Sequence, residues 1–144
     1  MGGRIMKNAF VTSEKPLKTV MIQVRTCDEA LRAAESGLKQ NADAFGLQLE
    51  NMLQSERTEA NLRRIFAFAE DKPFYVTNYK CDQSENTDDD ERMAQLLFAA
   101  DCGAALIDIP GDTFCADPDQ LTYDCEAVRK QTALIEKIHS RGAK

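Results

Sequence analysis

The sequence predicts a parallel α/β protein of four βα units, and three observations carry that reading. Four short apolar runs begin at Thr19, Ala44, Pro73 and Ala105, spaced 25, 29 and 32 residues apart, and in the third Phe74, Tyr75, Val76 and Thr77 are all β-branched or aromatic. That spacing is the rhythm of strand–helix–strand repeats. Each run is followed by a stretch whose apolar residues step by three and four, the helical period. Crossover helices between successive strands force those strands to run parallel. No side-chain pattern recurs closely enough to make a sequence repeat.

Residues 1–16 are mixed and end in Glu14-Lys15-Pro16, which reads as a loose lead-in to a domain over 17–144. Thr19–Arg25 (TVMIQVR) is the first strand. Thr26 with Glu29 three residues on has the spacing of a capping box, and Ala30, Leu31, Ala34 and Leu38 carry the helix to about Gln40. Ala44–Glu50 (AFGLQLE) is the second strand, and a helix from about Thr58 follows with Leu62, Ile65, Phe66 and Ala69 on one face. Pro73–Tyr79 is the third strand; a proline is tolerated at a strand's first residue, where its missing N–H costs least. Lys80–Thr87 is a loop, and Asp88–Cys102 is a helix with Met93, Leu96, Leu97 and Ala100 inward, stopped at Gly103. Ala105–Ile109 is the fourth strand, ending in the turn Pro110-Gly111-Asp112. Leu121–Ser140 has the clearest amphipathic pattern, with Ala127, Val128, Gln131, Leu134, Ile135 and Ile138 inward, and Arg141-Gly142 ends it.

Bulk properties narrow the function. A formal charge of −6 from 24 acidic and 18 basic side chains argues against nucleic acid or an acidic membrane as partner. No apolar run approaches the roughly 18 residues that cross a bilayer, and the start MGGRIMKNAF has no apolar core or cleavage site of a signal peptide. Five cysteines, with no CxxC pair, fit a cytoplasmic protein with reduced thiols.

Four βα units are half of a TIM (β/α)8 barrel, and a helix stop two residues before the last residue is what precedes another strand. Such a half leaves its outer strand edges unpaired. The expectation is either self-association, as a homodimer through those edges, or a piece of a longer chain.

Three stretches, KPFYVTNYK (72–80), LRRIFAFAE (62–70) and GAALIDIPGD (103–112), resemble type I 3-dehydroquinate dehydratase, the (β/α)8-barrel lyase of the shikimate pathway, over its N-terminal half. The resemblance implies dehydration of a small-molecule carboxylate through a Schiff base between a lysine and the substrate ketone, with a histidine as proton shuttle and no metal or organic cofactor. Both catalytic residues lie on later strands of the family barrel, and neither His139 nor Lys144 matches them. The family's strand-two glutamate and arginine correspond to Gln48 and Glu50, so an amide stands for an acid and an acid for a base. Lys80 corresponds to the strand-three arginine that contacts the substrate carboxylate, with the charge kept and the bidentate fork lost; Glu85 corresponds to an acid further along that loop. The chain is therefore expected to be inactive alone.

The candidate substrate-binding residues are thus Gln48, Glu50, Asn78, Lys80 and Asp108, with Tyr79 beside them. Each also has a plain structural reading: polar filling of the strand ends for Gln48 and Glu50, a solvated loop lysine for Lys80, strand-end packing for Asn78 and Tyr79, and a salt bridge for Asp108. Asp108 sits between Ile107 and Ile109 and so faces opposite to them. The acidic run Asp88–Glu91 reads as a helix start that favours the dipole. Asp112, Asp117 and Asp119 lack the glycine and distal glutamate of a calcium loop, and Cys115 with Cys125 makes a poor zinc set. The rival to an enzyme half is a non-enzymatic, self-associating binding or assembly module. An open flavodoxin-like sheet is a weaker third, for want of a glycine-rich turn.

Overall fold

The structure, a computed structural model, describes residues 9–69, 71–80, 88–117, 119 and 123–144. Four strands, β1 (Thr19–Ile22), β2 (Ala44–Gln48), β3 (Phe74–Thr77) and β4 (Leu106–Ile107), form one sheet in the order β1-β2-β3-β4. Every neighbouring pair is parallel. Helices α2 (Cys27–Lys39), α3 (Glu59–Ala67), α4 (Asp89–Cys102) and α5 (Cys125–Ser140) alternate with them, preceded by a short α1 (Ala9–Thr12). A flavodoxin-like sheet reverses its strand order at a switch point; this consecutive order has none.

The helices start where the sequence caps them. Thr26 accepts from the Glu29 N–H while the Glu29 side chain answers back, a complete capping box. Thr58 caps α3 through the Asn61 N–H, Asp88 caps α4 through the Glu91 N–H, and Asp124 caps α5 through the Ala127 N–H. Helix α4 ends on Gly103 at φ 118°, a conformation that favours glycine. One face of the sheet, Ile22, Phe45, Leu47, Phe74, Val76 and Ile107, joins the apolar stripes of α2–α5 in a single buried core. Phe74 is its centre, stacked on Phe45 at 5.0 Å and edge-on to Phe66 at 5.5 Å.

Several elements are shorter than the sequence pattern predicts. Strand β2 ends at Gln48, because its register partner Thr77 is the last residue of β3. Beyond it the chain enters a 3₁₀ turn, Leu49–Asn51, that buries Leu49, so Glu50 is not on a strand face with Gln48. A second 3₁₀ turn, Gln54–Glu56, follows. Strand β1 stops at Ile22 opposite Leu47, and β4 keeps two residues of the expected five, paired with Tyr75 and Val76. On α5 only Ala127, Leu134 and Ile138 of the expected stripe are buried; Val128 is 37% and Ile135 43% exposed. Gln131 turns to the β4–α5 loop instead, donating to the Gly111 and Thr113 carbonyls. Within the expected lead-in, α1 sets Phe10 edge-on against Tyr75 at 5.6 Å, on the sheet face away from α2–α5.

Candidate functional site

Strand alternation sends Met21, Gly46, Tyr75 and Leu106, which are mutual register partners, to the face opposite the core. Gly46 leaves the gap in which the Tyr75 hydroxyl reaches the Met21 sulfur; a Cβ there would stand 2.5 Å from both side chains. The edge of β4 away from β3 is occupied too. The Lys144 N–H donates to the Ala105 carbonyl at 2.9 Å, and its carbonyl accepts from the Ile107 N–H at 2.7 Å. That pair of bonds is what a residue opposite Leu106 on a parallel fifth strand makes.

One step toward the C-terminal ends of the strands the same face turns polar. Gln48 and Thr77 are register partners, and the Asp108 N–H donates to the Val76 carbonyl at 3.0 Å, which keeps Asp108 beside them. From the 3₁₀ turn Glu50 reaches across so that the Thr77 hydroxyl lies 3.1 and 3.0 Å from its two carboxylate oxygens. Glu50 is only 5% exposed. Burial raises its carboxyl pKa, outweighing the hydrogen bonds from Thr77 and from the N–H groups of Glu50 and Tyr79, and the charge of Arg57. The Tyr79 hydroxyl donates to the Asp108 carboxylate. That bond, then burial, then the negative charges of Asp108 and Glu50 push the phenol up to about 12. Asn51 donates to Gln48 at 2.8 Å. The cluster is rich in acceptors, with two carboxylates, two amides and two hydroxyls, of which Glu50 and Thr77 are buried against each other.

A second polar chain runs behind the strand ends, on the helix side. Arg57 donates to the Met52 carbonyl and, at 2.7 Å, to Gln95; Asn78 donates to Gln95 at 3.0 Å and to the Arg92 carbonyl at 3.2 Å. Arg92 returns a bond to the Asn78 carbonyl and pairs with Asp89, whose other oxygen accepts from the Phe114 N–H at 2.7 Å. The loops after β2, β3 and β4 are tied together by this chain. Asn78 and Arg92 are nearly fully buried, and among the described residues Asn78 Oδ1 and Arg92 Nε have no hydrogen-bond partner.

The structure therefore gathers Gln48, Glu50, Tyr79 and Asp108 but separates the other two candidates from them. Asn78 points into the helix-side chain, because alternation after Thr77 turns it outward. Lys80 lines a separate cavity of about 430 Å³ at the start of α4, with Asp90, Arg92, Asp112 and Lys130. Glu85 lies outside the described residues. His139 is exposed near the end of α5. Sequence reading missed Thr77, Arg57, Arg92 and Gln95. For Thr77 the period-2 pattern of β3 was a usable signal; the others sit on polar helix and turn positions that look solvated. Among the described residues no group of three or more His, Cys, Asp or Glu could hold a metal ion, and no helix is long and apolar enough to cross a membrane. Cys27, Cys102, Cys115 and Cys125 are unpaired.

Fold and cluster together define a parallel βα protein with its polar residues collected at the C-terminal strand ends. In sequence the chain matches no protein-family profile and no curated protein. In fold it is similar to the solved structure of 3-dehydroquinate dehydratase from Enterococcus faecalis, with a TM-score of 0.69 at 17% identity. The match covers 97% of this chain and 55% of that one, so the chain spans about half the length of the protein it resembles.

Proposed function

We propose that this chain is the N-terminal half of a type I 3-dehydroquinate dehydratase-like (β/α)8 barrel, divergent at its mouth and without lyase activity by itself. The observation that carries the reading is the fold match over nearly the whole chain to a 3-dehydroquinate dehydratase. The fifth-strand bonding of Lys144 against β4 supports it. A Schiff base needs a desolvated lysine beside a proton shuttle. Of the open-face positions Gln48, Glu50, Tyr75, Thr77, Tyr79 and Asp108 none is an amine, and Lys144, opposite Leu106 on the same face, is exposed rather than desolvated. At Glu50 an acid stands where the family's second strand presents an arginine to the substrate, and an acid cannot donate the hydrogen bonds an arginine would. In this reading the shikimate-pathway chemistry, in the cytoplasm, belongs to a longer chain or to a complex that supplies the remaining strands.

Incubation with 3-dehydroquinate and borohydride, followed by intact-mass measurement, tests the proposal. The expected result is no turnover and no reduced imine adduct; an adduct mapped to any lysine of this chain would overturn it. A self-pairing half-barrel is the second reading, favoured by the half-exposed Met21 and Tyr75 on the open face. The β4 edge speaks against it, since Lys144 already holds the groups a second copy's strand would use. Light scattering separates the two: a stable dimer supports the second reading, and a cooperatively melting monomer removes it.

A further inference from the structure

Helices α4 and α5 do not close on each other along their full length. Between them runs a groove of about 350 Å³ with an apolar floor that includes Met93, Leu97, Phe114 and Leu134. Its rim is cationic: Arg129, Lys130 and Lys137 line it, against a single acid, Asp90, contributed by α4. On a chain of net charge −6 this lining carries three cations against one acid. Lys130 also lines the adjoining cavity with Asp88, Asp89, Asp90 and Asp112, which leaves Lys137 the cation further from those acids. Arg129 is already engaged by Glu126 through two hydrogen bonds of 3.0 and 2.6 Å. Lys130 and Lys137 are seven residues apart, so they stand on one side of α5 roughly 10 Å from each other, with the exposed Ala133 between them.

Phe114 shapes the groove. It holds a left-handed backbone at φ 67°, a conformation a bulky side chain rarely adopts. It is kept there by its N–H bond to Asp89. The ring is thereby delivered to the groove, where the Lys130 ammonium stands 5.6 Å from its centroid. An aromatic wall, an aliphatic floor and two ammonium groups along one edge are complementary to a hydrocarbon body with one negative head.

We propose that the α4–α5 groove is a binding site for a small apolar carboxylate, whose hydrocarbon part lies on Met93, Leu97 and Phe114 and whose head meets Lys130 or Lys137. The site is separate from the strand-end cluster and does not depend on the barrel reading. The probe is octanoate, titrated calorimetrically into the full chain, with octylammonium as the same body carrying the opposite charge. Saturable one-to-one binding of octanoate is expected, at least about tenfold tighter than octylammonium. The double reversal Lys130→Glu/Lys137→Glu should weaken octanoate by about tenfold or more, the change that ~1.4 kcal/mol produces. Ala133→Trp, which fills the groove and leaves both charges, should weaken it as well. All three positions are exposed, and circular dichroism checks that the fold is kept. Amide shift mapping on the unaltered chain should place the perturbations at Leu97, Phe114 and Ala133. Absent saturation, equal affinity for octylammonium, an unaffected double variant or Trp variant, or shifts confined to another surface would each overturn the proposal.

Discussion

The two faces of the sheet are built from alternate residues of the same short strands, yet they obey different rules. On the helix side Phe45, Leu47, Phe74 and Val76 are at most 2% exposed and belong to one apolar core. On the open side Met21 and Tyr79 are 38% and 37% exposed, and the polar residues answer one another in pairs. One face holds the fold together and the other is free to specialise. A chain at 17% identity to a solved structure can therefore share its fold, because the packed face is what the fold requires.

The sharpest way to break that contrast is to truncate adjacent residues of β3. Phe74→Ala should cost about 3–5 kcal/mol, through lost transfer energy and a cavity between Phe45 and Phe66. Tyr75→Ala, one residue on, should cost about 1–2 kcal/mol, since its ring is only half-buried. Urea melts of the two variants measure the difference; equal losses would mean the open face is packed as tightly as the core.

The glycines sharpen the same point. A Cβ on Gly37, in α2, would stand 2.7 Å from the Phe45 ring, which is pinned by its stack on Phe74. Gly37→Ala should therefore lose about 1–2 kcal/mol, overpacking exceeding the ~1 kcal/mol helix gain of alanine. A Cβ on Gly46 meets Met21 and Tyr75 more closely, at 2.5 Å, but these groups border open space and can give way. Its cost should stay within about 1 kcal/mol and shrink when Met21→Ala is added, which leaves the Tyr75 ring as the close neighbour and gives it room to move. Thermal melts that rank Gly46→Ala as the worse of the two would reverse the assignment of the faces.

Glu50 extends the comparison to pH. Burial raises its folded carboxyl pKa above the unfolded value of 4.5. Such a group stabilises fully below the unfolded pKa, and that contribution is lost as pH rises through the folded one. Glu50→Gln keeps the shape and removes the charge. The variant should gain stability relative to the parent at neutral pH, and the gain should shrink to nothing below about pH 4. A parallel offset at every pH would show that Glu50 titrates as it does in the unfolded chain.

What could be read beforehand follows the same division. The packed face obeys periodicity and burial, so the four strands, the four main helices and the caps at Thr26 and Thr58 were legible. Strand ends were not, because they are set by where a neighbouring strand stops: β2 halts at Gln48 for want of a partner beyond Thr77. The sequence marks Glu50 as a site residue, but its route to the cluster, through a 3₁₀ turn, depends on that stop. The helix-side chain through Arg57, Asn78, Gln95 and Arg92 joins residues up to 38 positions apart, and no local pattern encodes it.

The smallest effect is also the most local. Tyr79 and Tyr75 lie on the open face, and both phenols are raised, Tyr79 the further because its hydroxyl donates to Asp108. An ultraviolet titration of phenolate absorbance should show a last step near 12 that is absent from Tyr79→Phe. Asp108→Asn removes the charge from the accepting oxygen and should move that step back toward 10, the ordinary value, with little change in stability at neutral pH, where the phenol is protonated in either case. The Tyr75 step should move the same way by less, since Asp108 acts on it only through space, behind the larger effect of burial. If both steps moved equally, Asp108 would be acting as a diffuse charge over an open face; if only Tyr79 moved, the strand ends would be organised in discrete pairs, and a ligand would have to break one to bind.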